Sequence, residues 1–188
     1  MGNPIIPLKT QPQKYFFNDQ DQELNMSFLE LRHPLSETAR SRMLSELGGL
    51  HGARLLGCSD LQYAHNLAEF VCDNNPAVTA FTLNAGDAEK PLSICFLEEL
   101  GNGHSIIKCI GTQLPNLQPG YCRTICGLLE AVSKHLGNQG STSILVKLPV
   151  DAVNLRQIYH RLGFHREVLT PPNATTMILD IRNIRPGF

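Results

Sequence analysis

The side chains best placed along this sequence to move protons are the phenol of Tyr159, the carboxylates of Glu98 and Glu99, and the imidazole of His104. Tyr159 lies in the run Asn154-Leu155-Arg156-Gln157-Ile158-Tyr159-His160-Arg161-Leu162-Gly163-Phe164. There Leu155, Ile158, Tyr159 and Leu162 fall at helical spacing, and Gly163 follows as a C-terminal cap. On spacing alone Tyr159 reads as a core residue of an amphipathic helix; its phenol, with an ordinary pKa of about 10, is also a proton donor of the right strength for a basic leaving group. Glu98 and Glu99 close one predicted strand and His104 opens the next, where each is either a surface residue or a group that accepts a proton from a nucleophile. A third feature is the run Leu117-Gln118-Pro119-Gly120-Tyr121-Cys122-Arg123 at the start of a predicted helix. A helix N-terminus offers unpaired N–H donors and partial positive charge, a setting for phosphate, and Arg123 can add charge there or lie solvated at the surface.

The elements that must hold these groups follow from periodicity and turn chemistry. Residues 1–24, with Pro4, Pro7 and Pro12 and a polar stretch broken by Tyr15-Phe16-Phe17, read as a flexible leader whose aromatic triplet is free to dock. Residues 25–188 read as one domain. Asn25 to His33 is a strand; Ser36 caps a helix with Ala39, Met43 and Leu47 on one face; Ser59 and Gln62 open a second helix with Leu61, Ala64, Ala68 and Val71 on one side. Strands over 77–84, 91–99 and 104–114 form a meander. A helix from Tyr121 to Leu136, capped by Gly137, then leads to a buried strand at 142–149, the Tyr159 helix, and strands near His165 to Leu169 and Thr175 to Ile181. The resulting order, β-α-α-β-β-β-α-β-α-β-β, predicts an α/β (α+β) fold: a mixed, mostly antiparallel central sheet flanked by helices.

Composition narrows the function. A net charge of −1 without a long run of one sign argues against nucleic acid as the main partner. A chain with 42% hydrophobic and 18% charged residues suits a soluble domain, and no apolar run approaches the roughly 20 residues that span a bilayer. With no secretory signal pattern, a cytoplasmic protein is expected. The six cysteines have neither the paired spacing of a zinc site nor the density of a disulfide scaffold, so no metal and reduced thiols are expected. Cys109 has no neighbouring feature that would activate it as a nucleophile and reads as a buried structural cysteine.

The closing helix with Tyr159 and Leu-Gly-Phe, together with the element order over about residues 25 to 183, resembles the GNAT superfamily of N-acetyltransferases. The resemblance implies acetyl-CoA as co-substrate and direct transfer of its acetyl group to an amine, in a small molecule or a protein. Tyr159 would then assist departure of the CoA thiolate, and Glu98, Glu99 or His104 would take the amine proton. In that family a Gln/Arg-x-x-Gly-x-Gly/Ala loop binds the CoA pyrophosphate. Here Gly120 matches the first glycine, Cys122 replaces the second small residue, and Gln118 stands one place late, with Tyr121 and Arg123 contributing backbone donors. The cofactor arm would bond to backbone at Thr112, Gln113 and Leu114, and Asn154 would contact the pantetheine. The irregular loop and the aromatic leader equally suit a catalytically degenerate module that binds a partner, and the edge strands of such a sheet suit a homodimer.

Overall fold

A computed structural model describes residues 13–17, 22–85, 90–113 and 121–183 of the chain. Among these residues nine strands form one sheet: β1 (Gln13–Phe17), β2 (Gln22–Leu31), β3 (His51–Gly52), β4 (Val78–Ala85), β5 (Lys90–Gly101), β6 (His104–Thr112), β7 (Ser143–Pro149), β8 (Arg166–Thr170) and β9 (Ala174–Asp180). The order across the sheet is β1-β2-β4-β5-β6-β7-β9-β8, with β3 paired to β6 outside this path. Every pairing is antiparallel except that of β6 with β7. This is the mixed, mostly antiparallel sheet predicted. Four helices accompany it: α1 (Glu37–Leu47), α2 (Asp60–Cys72), α3 (Tyr121–Asn138) and α4 (Val153–Arg161).

Helices α1 and α2 start where side-chain oxygens meet otherwise unpaired amides. Ser36 Oγ accepts from the Ala39 amide and Ser59 Oγ from the Gln62 amide, each at 3.1 Å. α1 buries Ala39, Met43 and Leu47 as expected. α2 does not bury the face that spacing suggested. Its inward residues are Tyr63, Leu67, Phe70 and Val71, while Leu61 is 81% exposed. The two aromatic rings carry far more apolar area than Ala64 and Ala68, so their face wins. α3 also differs: Gly137 lies within the helix, and the chain reverses at Gly140, whose φ is +87°. In the stretch read as a leader, Gln13–Phe17 pairs antiparallel with β2, so Tyr15, Phe16 and Phe17 join the sheet through their backbone.

The core lies on both faces of the sheet. On one, Tyr63 and Phe70 pack against Phe96 at ring separations of 6.3 and 5.5 Å. On the other, α3 places His135 over Phe28 and Phe81, at 5.8 and 5.7 Å. His135 Nε2 lies 2.7 Å from Glu30 Oε2, and the Arg32 guanidinium donates to the other oxygen of the same carboxylate. The Glu30 side chain is only 6% exposed and that of His135 only 11%, so this polar link ties α3 to β2 inside an otherwise apolar layer.

Candidate active site

The site begins where β6 and β7 part. They pair in parallel only over His104–Ile106 and Ser143–Leu145, after which the two strands diverge. The cause is visible on the other edge of β6. Phe96 pairs with Cys109 but Leu97 with Ile107, leaving Lys108 as an extra residue. Such a bulge bends its strand and sharpens its twist, which carries the end of β6 away from β7.

Beyond the bulge, the edge of β6 that has left β7 is paired by a segment between α1 and α2. His51 lies opposite Thr112 and Gly52 opposite Gly111. The Ala53 amide donates to the Ile110 carbonyl at 2.9 Å, and the Ile110 amide donates to Cys58 Sγ at 3.4 Å. The segment continues through a 3-10 turn at Arg54–Leu56 and closes at Gly57. Its outer side is held by Asp60, which accepts from the Gly52 amide at 3.0 Å and from Arg54 Nη2 at 2.5 Å. That hydrogen bond from Arg54 holds the Asp60 carboxyl below its ordinary pKa. Cys58 faces the buried thiol of Cys109 on β6, a pairing that lowers the Cys58 pKa and, with burial, raises that of Cys109. Cys58, Cys95 and Cys109 are free and buried, as expected for these three.

Tyr159 meets this segment from α4. Its ring is 1% exposed and packs edge-on to Phe164 at 5.2 Å. The hydroxyl donates to the Leu56 carbonyl at 3.1 Å. Residues 53–58 thus bridge Tyr159 to the backbone of Ile110, so the phenol and the free end of β6 belong to one locus. Gly163 has a φ of +97°, consistent with the predicted cap.

Close packing behind β6 depends on Gly111. A Cβ there would lie 2.2 Å from the Tyr63 ring, and that ring is fixed by burial and by a 2.8 Å bond from its hydroxyl to the Leu47 carbonyl. Gly111→Ala is expected to cost about 2 kcal/mol and lower Tm by roughly 4–8 °C. A thermal melt checks this, and in a double-mutant cycle Tyr63→Leu should relieve part of the cost.

The proposed acid–base residues separate. Glu98 and Lys108 form an ion pair at 2.9 Å and line a cavity of about 210 Å³ between α2 and the sheet. Glu69, Asp73, Phe70 and Phe96 share that cavity with His33. Glu99 and His104 line a different cavity, of about 180 Å³, with Leu136 of α3 and Gln139 just beyond it. His104 Nδ1 is 2.7 Å from Ser143 Oγ, at the closed end of the divergence. It lies eight positions before Thr112, about 25 Å along a strand. Tyr159 lines neither cavity. His33 is the residue that sequence reasoning missed. Its ring lies beside Asn74 and Asp73, which raise its pKa, but burial and then Arg40 outweigh them and lower it. Its signal in sequence was only a histidine at the end of a strand.

Of the residues expected to hold the cofactor, Thr112 is 1% exposed and lies opposite His51, and the Gln113 amide donates to the Leu92 carbonyl on the β5 side. Asn154 is exposed in the first turn of α4, after Ala152 at the cap position. Tyr121, Cys122 and Arg123 form the first turn of α3, placing helix-start amides after β6. Leu114, Gln118 and Gly120 lie outside the described residues. For an acyl-CoA arm along β6 the fit is conditional, because the Ile110 amide and carbonyl are already partnered within the chain. No group of three or more potential metal ligands is found among the described residues. No helix among them is long and apolar enough to cross a membrane.

No family model and no curated protein matches the sequence. Solved structures do. The chain is similar to Tetrahymena GCN5, with a TM-score of 0.58 and 12% identity, covering 82% of this chain and 96% of that one. It is similar to the GNAT domain of S. lividans PAT, with a TM-score of 0.53 and 10% identity over 82% and 90% of the two chains. It is also similar to the ribosomal-protein-S18-alanine N-acetyltransferase of Escherichia coli, with a TM-score of 0.50 and 15% identity over 86% and 98%. With these likenesses and the parting of β6 from β7, the chain has the fold of the GNAT superfamily of N-acetyltransferases.

Proposed function

We propose that the chain transfers an acyl group, acetyl in the simplest case, from a CoA thioester to an amine by direct attack. The observation that carries this reading is the parting of β6 from β7, beyond which residues 53–58 bond both to Tyr159 and to Ile110 of β6. Backbone groups from Ile110 to Thr112 would orient the thioester, and Tyr159 would give a hydrogen bond or proton to the departing thiolate. The first turn of α3 at Tyr121, Cys122 and Arg123, with Gln118 and Gly120 before it, would take the pyrophosphate. His33 joins Glu98, Glu99 and His104 as a candidate base, since it lines the Glu98 cavity and burial lowers its pKa.

Release of free thiol from acetyl-CoA in the presence of an amine tests the reading. N-terminal peptides, lysine peptides, polyamines and aminoglycosides form the panel. Amine-dependent thiol release that Tyr159→Phe lowers strongly is the expected result, and a thiol signal no higher than without protein for every amine would refute it. One observation favours a second reading, that of a partner-binding module without catalysis: the Tyr159 hydroxyl and both backbone groups of Ile110 are engaged by the chain's own residues 53–58.

A further inference from the structure

The segment from His51 to Cys58 uses the part of the sheet that an extended ligand would need. A strand edge that has lost its neighbour presents N–H and C=O groups in a fixed repeat, and whatever runs alongside it must supply the complementary row. On β6 that row is supplied by the chain itself. His51 and Gly52 lie against Thr112 and Gly111, the Ala53 amide takes the Ile110 carbonyl, and Cys58 Sγ takes the Ile110 amide. The fit is close: Ala53 is fully buried, and a Cβ on Gly52 would lie 2.3 Å from the Ser59 carbonyl oxygen.

The outer side of the same segment is lightly held. Its pairing with β6 is two residues long, Gly48-Gly49 lies just before it, and Gly57 lies in its closing turn. Its outer fastening is one residue, Asp60, which holds Gly52 through Oδ1 and Arg54 through Oδ2, with His51 Nδ1 3.6 Å away. The Arg54 and Asp60 side chains are 65% and 42% exposed, so this fastening faces water, while Ala53, Leu56 and Cys58 on the inner side are buried. At the inner end, the Leu56 carbonyl accepts from the Tyr159 hydroxyl, so withdrawal of the segment removes that bond and uncovers the β6 edge together.

We propose that His51–Cys58 is a self-occupying strap fastened by Asp60, and that a CoA thioester reaches the β6 edge only in exchange for it. The strap is an autoinhibitory contact of the acyltransferase site, and this inference rests on the acyl-CoA reading above. Because a ligand that needs the open form binds in proportion to the fraction open, loosening the strap tightens apparent binding. Asp60→Ala is expected to bind desulfo-CoA about tenfold more tightly than the unaltered chain, and Arg54→Ala, which removes the exposed ion pair alone, about twofold to threefold more tightly.

Calorimetric titration of the full chain and both variants with desulfo-CoA measures this, with hydrogen exchange of the Ala53 and Ile110 amides recorded with and without ligand. The expected result is tighter binding by both variants and faster exchange at Ala53, but not at Ile110, when ligand is bound. If the unaltered chain binds and neither variant binds more tightly, or if Ala53 stays protected in the complex, the strap proposal fails while the acyl-CoA reading stands. If none of the three folded proteins binds, both fail.

Discussion

Tyr159→Phe is expected to lower kcat by roughly 10²- to 10⁴-fold, the usual range for removing a proton donor placed at a leaving group. The substitution keeps the ring that packs against Phe164 and removes only the hydroxyl that now donates to the Leu56 carbonyl. It should therefore cost only about 1 kcal/mol of stability. The two readouts separate the two roles of the residue. A phenol that merely braces residues 53–58 would change Tm and leave the rate unaltered across pH. A phenol that also serves the thiolate loses rate much further than stability predicts, and most of all with acyl donors whose leaving thiol is the most basic. Steady-state rates for a series of thioesters, measured beside a thermal melt, make the comparison.

A large effect on stability is expected at Glu30. Its carboxylate lies between the Arg32 guanidinium and His135 Nε2, and its side chain is 6% exposed. Glu30→Ala leaves His135 facing a gap between Phe28 and Phe81 and removes the polar link between β2 and α3. The expected cost is about 2 kcal/mol, because the buried carboxylate's bonds are lost and His135 Nε2 keeps only its 3.0 Å contact with Gln139 Nε2. Glu30→Gln keeps an oxygen for His135 and should cost less. Arg32 is 57% exposed and can turn to water, so Arg32→Ala should cost least of the three. Denaturant unfolding with an unchanged m-value would establish the ranking as one of stability.

Much of this architecture was legible in the residues. Ser36 and Ser59 announced two helix starts because a hydroxyl before an apolar period has an amide to satisfy. Leu155, Ile158, Tyr159 and Leu162 announced α4 because the 3.6-residue period leaves few alternatives. The element order then followed, with β2 running Gln22–Leu31 against an expected 25–33. The misreadings arose where tertiary packing chose between two local patterns. On α2, both the small residues Ala64 and Ala68 and the aromatics Tyr63 and Phe70 fall at helical spacing, and only the space beneath Phe96 selects the second set. The strand His51–Gly52 is two residues long, below any period, and exists because the bulge at Lys108 frees an edge of β6. The site follows the same rule. Tyr159 stood out through its helix, whereas His33 has no local pattern and gains its character from burial beside Phe70, at a ring separation of 4.5 Å.

This geometry gives pH a definite direction at the strap. The Asp60 carboxyl is held below its ordinary value, so its hold on Gly52 and Arg54 is complete above pH of about 4 and is lost as pH falls through the depressed pKa. Near neutral pH the fastening is closed, and affinity for a CoA thioester there reports the exchange of strap for ligand.

Calorimetric titration of the folded chain with acetyl-CoA is therefore the most direct measurement of the central claim, that this fold still serves a CoA thioester. The account predicts saturable one-to-one binding with a Kd on the order of micromolar to sub-millimolar, in the range where enzymes of this kind hold their substrates. Absence of binding by the unaltered chain and by Asp60→Ala, both shown to be folded, would contradict it and leave the non-catalytic partner-binding reading in its place.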